Sequence, residues 1–320
     1  MTVRHPTVAT SWRKSVIGGE PWQLTNNQMP DQEVFNRKSP ASISRLEEKA
    51  RQIRATCVQM AFDAHEGHLS SALSCTDLLV ALYNGWLNVA PDDAKNPNRD
   101  RFYFSKGHAC TALYAVLAER GFLPVQALSA YAKTGSATPN HPCRHALPIL
   151  ETSSGSLGHG LGIASGALYG LRLDGNPARA IVLMSDGECN EGSVWESAMF
   201  AAAHRLNRLL AIVDNNGLQA VGRNDALMGY TSLEEKFRAF GWAARTINGN
   251  SMSEIVAALS EVPFASDRPS AIIARTRAGF GVDFMEDQIL WHYRTPSPEE
   301  LQRALSKLGQ TPLHKQPSHA

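Results

Sequence analysis

The sequence predicts an α/β protein built on a doubly wound, mostly parallel sheet with helices on both faces. Two short apolar runs, at residues 180–184 and 209–213, are each bounded by turn residues, which is typical of buried parallel strands. Residues 194–206 lie between them and carry apolar side chains at helical spacing. Together the three segments have the length of a right-handed strand–helix–strand crossover.

Strand-like and helical segments alternate along the rest of the chain, which favours the doubly wound arrangement. We expect further strands at residues 101–105, 242–247 and 271–275. The first helix should be capped by Ser42 or Ser44 and break at residues 65–68. The other predicted helices cover residues 75–86, 106–117, 157–171, 233–240, 252–259 and 298–308.

The chain divides into an irregular amino-terminal arm at residues 1–41, one domain at residues 42–308 and a frayed tail at residues 309–320. The arm is polar and interrupted by glycines and prolines. It carries isolated large side chains, Trp12, Trp22 and Phe35, so part of it is expected to dock on a surface.

Composition narrows the class of protein. The 320 residues are 43% hydrophobic, which is enough to bury the core of one α/β domain. Lys plus Arg number 31 against 30 for Asp plus Glu, so we expect neither a nucleic-acid partner nor a membrane surface. No apolar run approaches the ~20 residues of a membrane span, and the start lacks a signal-peptide core. The five scattered cysteines predict reduced thiols in the cytoplasm.

Polar residues follow the two central strands at the points where the strands end. Asp186 comes just past the first strand and Asn216 just past the second. Asp-Gly and Asn-Gly are ordinary turn dipeptides when each stands alone. Ligands bind at the carboxyl ends of parallel strands, so the pair predicts one crevice, in which Gly187 permits close approach to the backbone. Aspartate, asparagine and carbonyl oxygens suit a magnesium ion that holds a phosphorylated ligand.

Four histidines stand in loops or at helix starts beside glycine or proline: His68, His108, His141 and His292. A single histidine is more often a structural group than a catalyst. None of the four shows the spacing of a zinc site on a helix. Each of the four, taken alone, is therefore only a candidate for a functional role.

Two other motifs have more than one interpretation. His141, Cys143 and His145 could ligate a metal, although three ligands within five residues that include a proline are a weak pattern. The segment Gly155-Ser-Leu-Gly158 precedes a helix and could receive an anion or the edge of a cofactor on its backbone N–H groups. It is equally consistent with a plain helix cap.

Seven motifs together resemble the amino-terminal, diphosphate-binding part of transketolase. In chain order they are Glu66-Gly-His68, Asp100-Arg-Phe to Ser105-Lys-Gly-His108, His141-Pro, Thr152 to Gly155-Ser-Leu-Gly158, Ser185-Asp-Gly-Glu to Glu191-Gly192, Asp214-Asn-Asn-Gly-Leu218, and Gly281 to Trp291-His292. The resemblance covers about residues 42–305. It implies the thiamine-diphosphate-binding fold of the type that holds the diphosphate.

The resemblance also implies a cofactor site. Asp186, the side chain of Asn216 and the carbonyl of Leu218 would hold a magnesium or calcium ion on thiamine diphosphate. The residues implied to contact the cofactor are His108, Gly155, Leu157, Gly187, Glu188, Asn216 and His292. Glu191 would join a carboxylate link across an interface between chains. His68, His108, His141 and His292 would surround the substrate carbonyl and hydroxyls.

The sequence departs from the family pattern at three positions. Leu69-Ser70 follows His68 where Pro-Gly is usual, Ser185 replaces the first glycine of Gly-Asp-Gly, and His159 stands where glutamine is common. These changes put the sugar specificity in doubt and leave the cofactor site intact. A full transketolase also has a pyrimidine-binding domain, so the chain is expected to be one subunit of a split enzyme, with that domain on a partner.

The expected function is therefore thiamine-diphosphate-dependent transfer of a two-carbon ketol unit from a ketose to an aldose, either of which could be phosphorylated. We expect self-association as well, and a heterotetramer with the partner. One alternative is the alpha subunit of a 2-oxo-acid dehydrogenase, which shares the fold and the metal motif. Another is a non-catalytic partner subunit that retains the fold without turnover.

Overall fold

The computed structural model describes residues 39–310, so the predicted arm up to residue 38 and the tail from residue 311 lie outside the described residues. In chain order its strands are β1 (Arg101–Phe104), β2 (Ala180–Ser185), β3 (Leu209–Asn215), β4 (Leu218–Gln219), β5 (Gly222–Arg223), β6 (Ala243–Asn248) and β7 (Ser270–Arg275). Five of them form a parallel sheet in the order β1-β2-β3-β7-β6, and β4 and β5 form a small antiparallel hairpin. The predicted doubly wound sheet is confirmed.

The α-helices, in chain order, are α1 (Pro40–Ala64), α2 (Leu69–Ala81), α3 (Cys110–Glu119), α4 (Gly160–Leu173), α5 (Gly192–Ala203), α6 (Asn224–Met228), α7 (Leu233–Ala239), α8 (Met252–Ser260) and α9 (Pro298–Lys307). α1, α2, α3, α8 and α9 share one apolar cluster, and α4, α5 and α7 share another. Within residues 39–310 no helix has the length and apolar character that a membrane crossing requires.

The sheet separates the two apolar clusters because neighbouring residues of a strand point to opposite faces. In β2, Ile181 and Leu183 enter the first cluster, whereas Val182 and Met184 enter the second. All six residues of this strand are buried, as expected for a parallel strand that helices cover on both sides. Because the five strands run parallel, their carboxyl ends lie at one edge of the sheet.

The predicted starts of several helices differ from the structure, among them those of α1 and α2. α1 begins at Pro40, because Ser39 caps it by accepting a hydrogen bond from the Ser42 N–H, so neither Ser42 nor Ser44 is the cap. α2 begins at Leu69 and not at residue 75. Its serines made the first turns resemble a loop, but Ser70 and Ser71 are both buried in the helix.

Candidate active site

A cleft of about 360 Å³ opens at the edge where the parallel strands end. β2 and β3 finish side by side there, with Ser185 paired to Asp214. Among the residues that line the cleft are His68, His108, His141, Gly155, Leu157, Gly187, Glu191, Asn216, Leu218 and His292. The structure therefore brings together all the site residues singled out from the sequence except Asp186 and Glu188, which lie beside the lining.

Asp186 directly follows β2 and is almost fully buried. Its carboxylate accepts hydrogen bonds from the N–H groups of Gly187, at 2.9 Å, and Gly217, at 2.8 Å. Burial and the neighbouring Asp214 carboxylate raise the pKa of Asp186 to about 6. Hydrogen-bond donors around Asp186 only partly offset this effect, so a cation bound here would stabilise the ionised carboxylate.

Asn216 and Leu218 occupy the turn that follows β3. The Asn216 Oδ1 accepts a hydrogen bond from the Leu218 N–H at 3.0 Å, and its Nδ2 donates to the Ser74 Oγ at 3.3 Å. Gly217 has a φ of 76°, a left-handed conformation that glycine adopts without strain. The tight turn places the Asn216 amide and the backbone of Leu218 next to the carboxylate that Gly217 contacts.

The four histidines come from separate segments and form one cluster. The ring centroid of His68 lies 5.6 Å from that of His108, 6.2 Å from that of His141 and 5.1 Å from that of His292. His68 has a φ of 62° and donates its backbone N–H to the carbonyl of His292 at 2.7 Å. This contact joins the start of α2 to the 3₁₀ turn Ile289–His292, so two distant segments hold the cluster.

Burial is the largest cause that lowers the pKa of each of these imidazoles. The pKa of His292 is lowered to about 4 by burial, by the nearby His68 and by the Lys106 ammonium. The pKa of His108 is lowered well below its usual value by burial and by the Lys106 charge. The rings are therefore neutral at pH 7, and each can donate one hydrogen bond and accept another. The His68 Nδ1 is buried and has no hydrogen-bond partner within residues 39–310.

Two glycines of the cleft lining keep the backbone accessible. Gly155 has a φ of 141°, and a Cβ there would lie 3.2 Å from the His141 Cδ2. A Cβ on Gly187 would lie 3.0 Å from the Gln219 Cγ. A side chain at either position would press on residues that line the cleft, so glycine keeps these stretches open to a ligand.

The two glutamates of the strand-end motif have different surroundings. Glu188 is fully buried and accepts hydrogen bonds from the Ser105 hydroxyl and, at 2.9 Å, from the Gly158 N–H. Burial raises the pKa of Glu188. Its carboxylate therefore ties the loop that contains Leu157 to the sheet, and it is not part of the cleft lining. Glu191 is exposed at the rim of the cleft.

Sequence reasoning missed a buried ion pair beside the cleft. Lys106 and Asp214 are both 0% exposed and form a salt bridge. The available signal was the position of Asp214 at the end of an apolar strand, where an unpaired charge would be costly. Reasoning from the sequence also missed Ser71, Gln219 and Tyr293 as residues that line the cleft.

Two competing sites are less favourable. A neighbouring cavity of about 410 Å³ is lined in part by Asp186, but its lining contains none of the four clustered histidines. Within the described part of the chain, no group of three or more His, Cys, Asp or Glu side chains is arranged to hold a metal ion. The structure thus does not support a metal site formed by His141, Cys143 and His145.

Comparison with known proteins shows which family the chain resembles. The family model described as the thiamine diphosphate binding domain of transketolase matches residues 46–316. The chain is 36% identical over 268 residues to one of the subunits of the apulose-4-phosphate transketolase of Actinobacillus succinogenes, covering 83% of this chain and 97% of that protein. It is 34% identical over 263 residues to a 6-deoxy-6-sulfo-D-fructose transketolase subunit of a Clostridium species, covering 82% and 96%.

Longer relatives match over part of their length. Human transketolase is 34% identical over 273 residues, which are 84% of this chain and 42% of that protein. The crystal structure of transketolase from Campylobacter jejuni superimposes with a TM-score of 0.77 at 28% identity, covering 84% of this chain and 43% of that one. The chain thus spans less than half the length of these full transketolases.

The fold and the matched domain define a thiamine-diphosphate-binding protein of the transferase class. The chain belongs to the transketolase family and corresponds to the amino-terminal part of the full-length enzymes. The predicted resemblance and the predicted class of fold are both confirmed.

Proposed function

We propose that this chain is the diphosphate-binding subunit of a split transketolase that transfers a two-carbon ketol unit from a ketose to an aldose. The observation that carries the proposal is the single cleft that combines the strand-end residues beside Asp186 with the four-histidine cluster. Two relatives that match over nearly their whole length are named as transketolase subunits, which favours a partner chain. That partner would carry the pyrimidine-binding domain.

The residues present fit thiamine diphosphate and a divalent cation. Burial and the Asp214 carboxylate disfavour the charge of Asp186, so the positive charge of magnesium or calcium would stabilise its ionised carboxylate. The Asn216 Oδ1 and the carbonyl of Leu218 would complete the protein ligands. Gly187, His108 and His292 would contact the diphosphate, and Gly155 and Leu157 would face the rings. Glu188 would act on the cofactor through the loop that it holds.

The chain's own contribution to the reaction is orientation and proton transfer. When bound, thiamine diphosphate supplies the carbon that accepts and returns the two-carbon unit. The neutral imidazoles of His68, His108, His141 and His292 would donate hydrogen bonds to substrate oxygens and move protons between them. The Nδ1 of His68, which has no hydrogen-bond partner among the described residues, supports this role, because a buried polar atom without a partner is costly unless a ligand satisfies it.

For the assembly, we propose a cytoplasmic heterotetramer with cofactor sites at the interfaces between chains. The exposed Glu191 at the cleft rim would join a carboxylate contact across one interface. Closed two-fold assemblies are the common solution for soluble enzymes. All five cysteines, at positions 57, 75, 110, 143 and 189, are free thiols, which supports a reducing compartment. Substrates could be free sugars or sugars with an anionic group, since the relatives above are named for a sugar phosphate and a sulfo sugar.

The decisive experiment measures ketol transfer by the chain alone and after mixing with the candidate partner, with thiamine diphosphate and Mg²⁺ present. We expect no turnover alone and turnover with the partner, across a panel of free, phosphorylated and sulfonated ketoses. Substantial turnover by the isolated chain would contradict the split active site. Turnover by neither sample, in a complex shown to assemble, would contradict the activity itself.

Asp186→Ala tests the proposed cation site. It removes the buried carboxylate, so Mg²⁺-dependent binding of thiamine diphosphate to the complex should fall below detection in calorimetry. Asp225→Ala is the control, because Asp225 is exposed and bonds the first turn of its own short helix. Unchanged cofactor affinity in Asp186→Ala would refute the assignment.

A further inference from the structure

A chain of buried hydrogen bonds leads from the Lys106–Asp214 ion pair to Asn216. Lys106, Ser74 and Asp214 are each 0% exposed. Lys106 follows β1 and Asp214 lies in β3, so the ion pair spans the end of β2 that lies between them. A buried ion pair rarely adds stability over apolar residues of similar size, so a role other than stability is expected for this pair.

Asp214 uses both of its carboxylate oxygens. Its Oδ2 accepts hydrogen bonds from the Lys106 ammonium and, at 2.6 Å, from the Ser74 hydroxyl. Its Oδ1 accepts a hydrogen bond from the Thr276 hydroxyl. Lys106 also donates to the carbonyl of Ser71 at 3.1 Å, so the ammonium is held on two sides.

The Ser74 hydroxyl has one proton and two possible acceptors. Asp214 lies at 2.6 Å and is charged, whereas the carbonyl of Ser71 lies at 3.0 Å and already receives Lys106. Because hydrogen bonds to charged acceptors are the stronger ones, the proton goes to Asp214. The Ser74 Oγ then presents only lone pairs to its remaining neighbour, Asn216.

Only one orientation of the Asn216 amide fits this arrangement. Its Nδ2 must face the Ser74 Oγ, at 3.3 Å, and its Oδ1 must face the Leu218 N–H, at 3.0 Å. The reversed amide would leave both contacts with mismatched groups and would turn an N–H₂ group toward any cation beside Asp186. The direction of each hydrogen bond in this relay follows from the buried charge at its origin.

We propose that Ser74 is a positioning residue, which holds the Asn216 amide in the one orientation that offers its Oδ1 to the divalent cation. The inference rests on the proposed function, because the divalent cation is part of that function. The Lys106–Asp214 pair, by this account, exists to orient the Ser74 hydroxyl. Groups that orient a metal ligand typically change metal affinity about 10–100-fold when they are removed.

The test is a Mn²⁺ titration of the complete complex with its partner in the presence of thiamine diphosphate, in which the electron paramagnetic resonance signal reports free Mn²⁺. Ser74→Ala should raise the apparent Kd for Mn²⁺ roughly 10–100-fold. Ser74→Thr retains the hydroxyl and should restore the affinity to within about threefold of the wild type. Excess metal should restore turnover in Ser74→Ala, which a distorted fold would not allow.

Thr76→Val is the matched control. Thr76 lies two residues away on the same helix and is 0% exposed, and its hydroxyl donates to the carbonyl of Ala72 in its own helix, at 2.9 Å. Its Mn²⁺ affinity should equal that of the wild type. If Ser74→Ala failed to fold or assemble, Ser74→Cys, which retains the volume but accepts hydrogen bonds poorly, should show the same weakening.

Three results would overturn the proposal. They are an unchanged Kd in a folded Ser74→Ala or Ser74→Cys complex, an equal loss in Thr76→Val, and no recovery in a folded Ser74→Thr complex. A wild-type complex that bound no Mn²⁺ with thiamine diphosphate would instead refute the proposed function, and this inference with it. The wild-type titration therefore separates failure of the function from failure of the relay.

Discussion

Each imidazole in the cleft remains neutral at pH 7 because burial removes the water that would stabilise its charge. Positive neighbours add to this effect at His108 and His292, where the Lys106 ammonium disfavours a second positive charge. Neutral rings suit proton exchange with hydroxyl and carbonyl oxygens, since each ring offers both a donor and an acceptor. The Lys106 ammonium thus lowers the pKa of two histidines in addition to pairing with Asp214.

His292 is the histidine for which we expect the largest kinetic effect, because it contacts His68 and lies at the proposed junction of diphosphate and substrate. His292→Ala should lower turnover of the assembled enzyme on the order of a hundredfold, the range for loss of a positioned acid–base group. Steady-state kinetics with the partner present would measure this. Wild-type turnover in an assembled His292→Ala complex would rule out the role.

Stability should also report the depressed pKa of His292. An unfolded histidine binds a proton near pH 6.5, whereas folded His292 binds one only near pH 4. Between these values the unfolded state binds more protons. The contribution of neutral His292 to the free energy of unfolding is therefore full above pH 6.5 and is lost as the pH falls toward 4. Relative to His292→Gln, the wild type should lose on the order of 1–2 kcal/mol between pH 7 and pH 5.

Urea unfolding of the metal-free chain at several pH values would measure this difference. Comparing the two proteins cancels groups that shift in the opposite direction, such as Asp186, whose pKa is raised. Parallel pH profiles for the wild type and His292→Gln would contradict the depressed pKa.

At the scale of elements, the histidine cluster depends on how the turn before α2 packs against the segment 289–293. A Cβ on Gly67 would lie 2.7 Å from the backbone oxygen of Tyr293, closer than side chains tolerate. The adjacent hydrogen bond from His68 to the carbonyl of His292 requires the same close approach. Glycine at position 67 is therefore required by packing between two segments.

Gly67→Ala should separate these segments. We expect a loss of about 1–3 kcal/mol in the free energy of unfolding, typical of overpacking, together with lower turnover in the complex. Gly170→Ala is the control, because a Cβ there would meet no atom within 4 Å, and it should leave the stability unchanged or slightly higher. Equal stability of the two variants in denaturant titrations would contradict the close contact.

At the scale of the whole molecule, the outer faces of α4 and α5 leave large apolar side chains exposed to solvent. They include Ile163 at 43%, Met199 at 52% and Phe200 at 39%. Gly166 lies on the same face, and a Cβ there would meet no atom within 4 Å. Small residues beside exposed apolar ones favour close packing against another chain.

Gly166→Leu should therefore separate folding from assembly. A leucine in an exposed helix position should leave the melting temperature of the isolated chain unchanged or slightly higher. At a close interface it should weaken association at least about tenfold, because the added side chain has no space. Sedimentation or light scattering would measure association.

Ser44→Leu is the control, because Ser44 lies on α1, which packs on the other face of the sheet. Equal association of the two variants would argue against an interface at the outer faces of α4 and α5.

The amino-acid sequence was enough to locate the central strands and to predict that the segments after them come together, as the hydrogen bond from the Gly217 N–H to Asp186 shows. β2 and β3 were expected at residues 180–184 and 209–213 and are found at Ala180–Ser185 and Leu209–Asn215. Continuous apolar runs bounded by turns have few alternatives to burial in a parallel sheet. Strand polarity then brings the residues after each strand to one edge.

Three-dimensional packing settled the rest, including how the four histidines contact one another and where α2 begins. The serines of α2 and the charge of Lys106 suggest exposed segments when the sequence is examined locally. They can be buried because Ser74, Lys106 and Asp214 satisfy one another, and these residues are as much as 140 positions apart in the chain. A local pattern contains no information about such distant partners, and the free energy of burying a polar group depends on them.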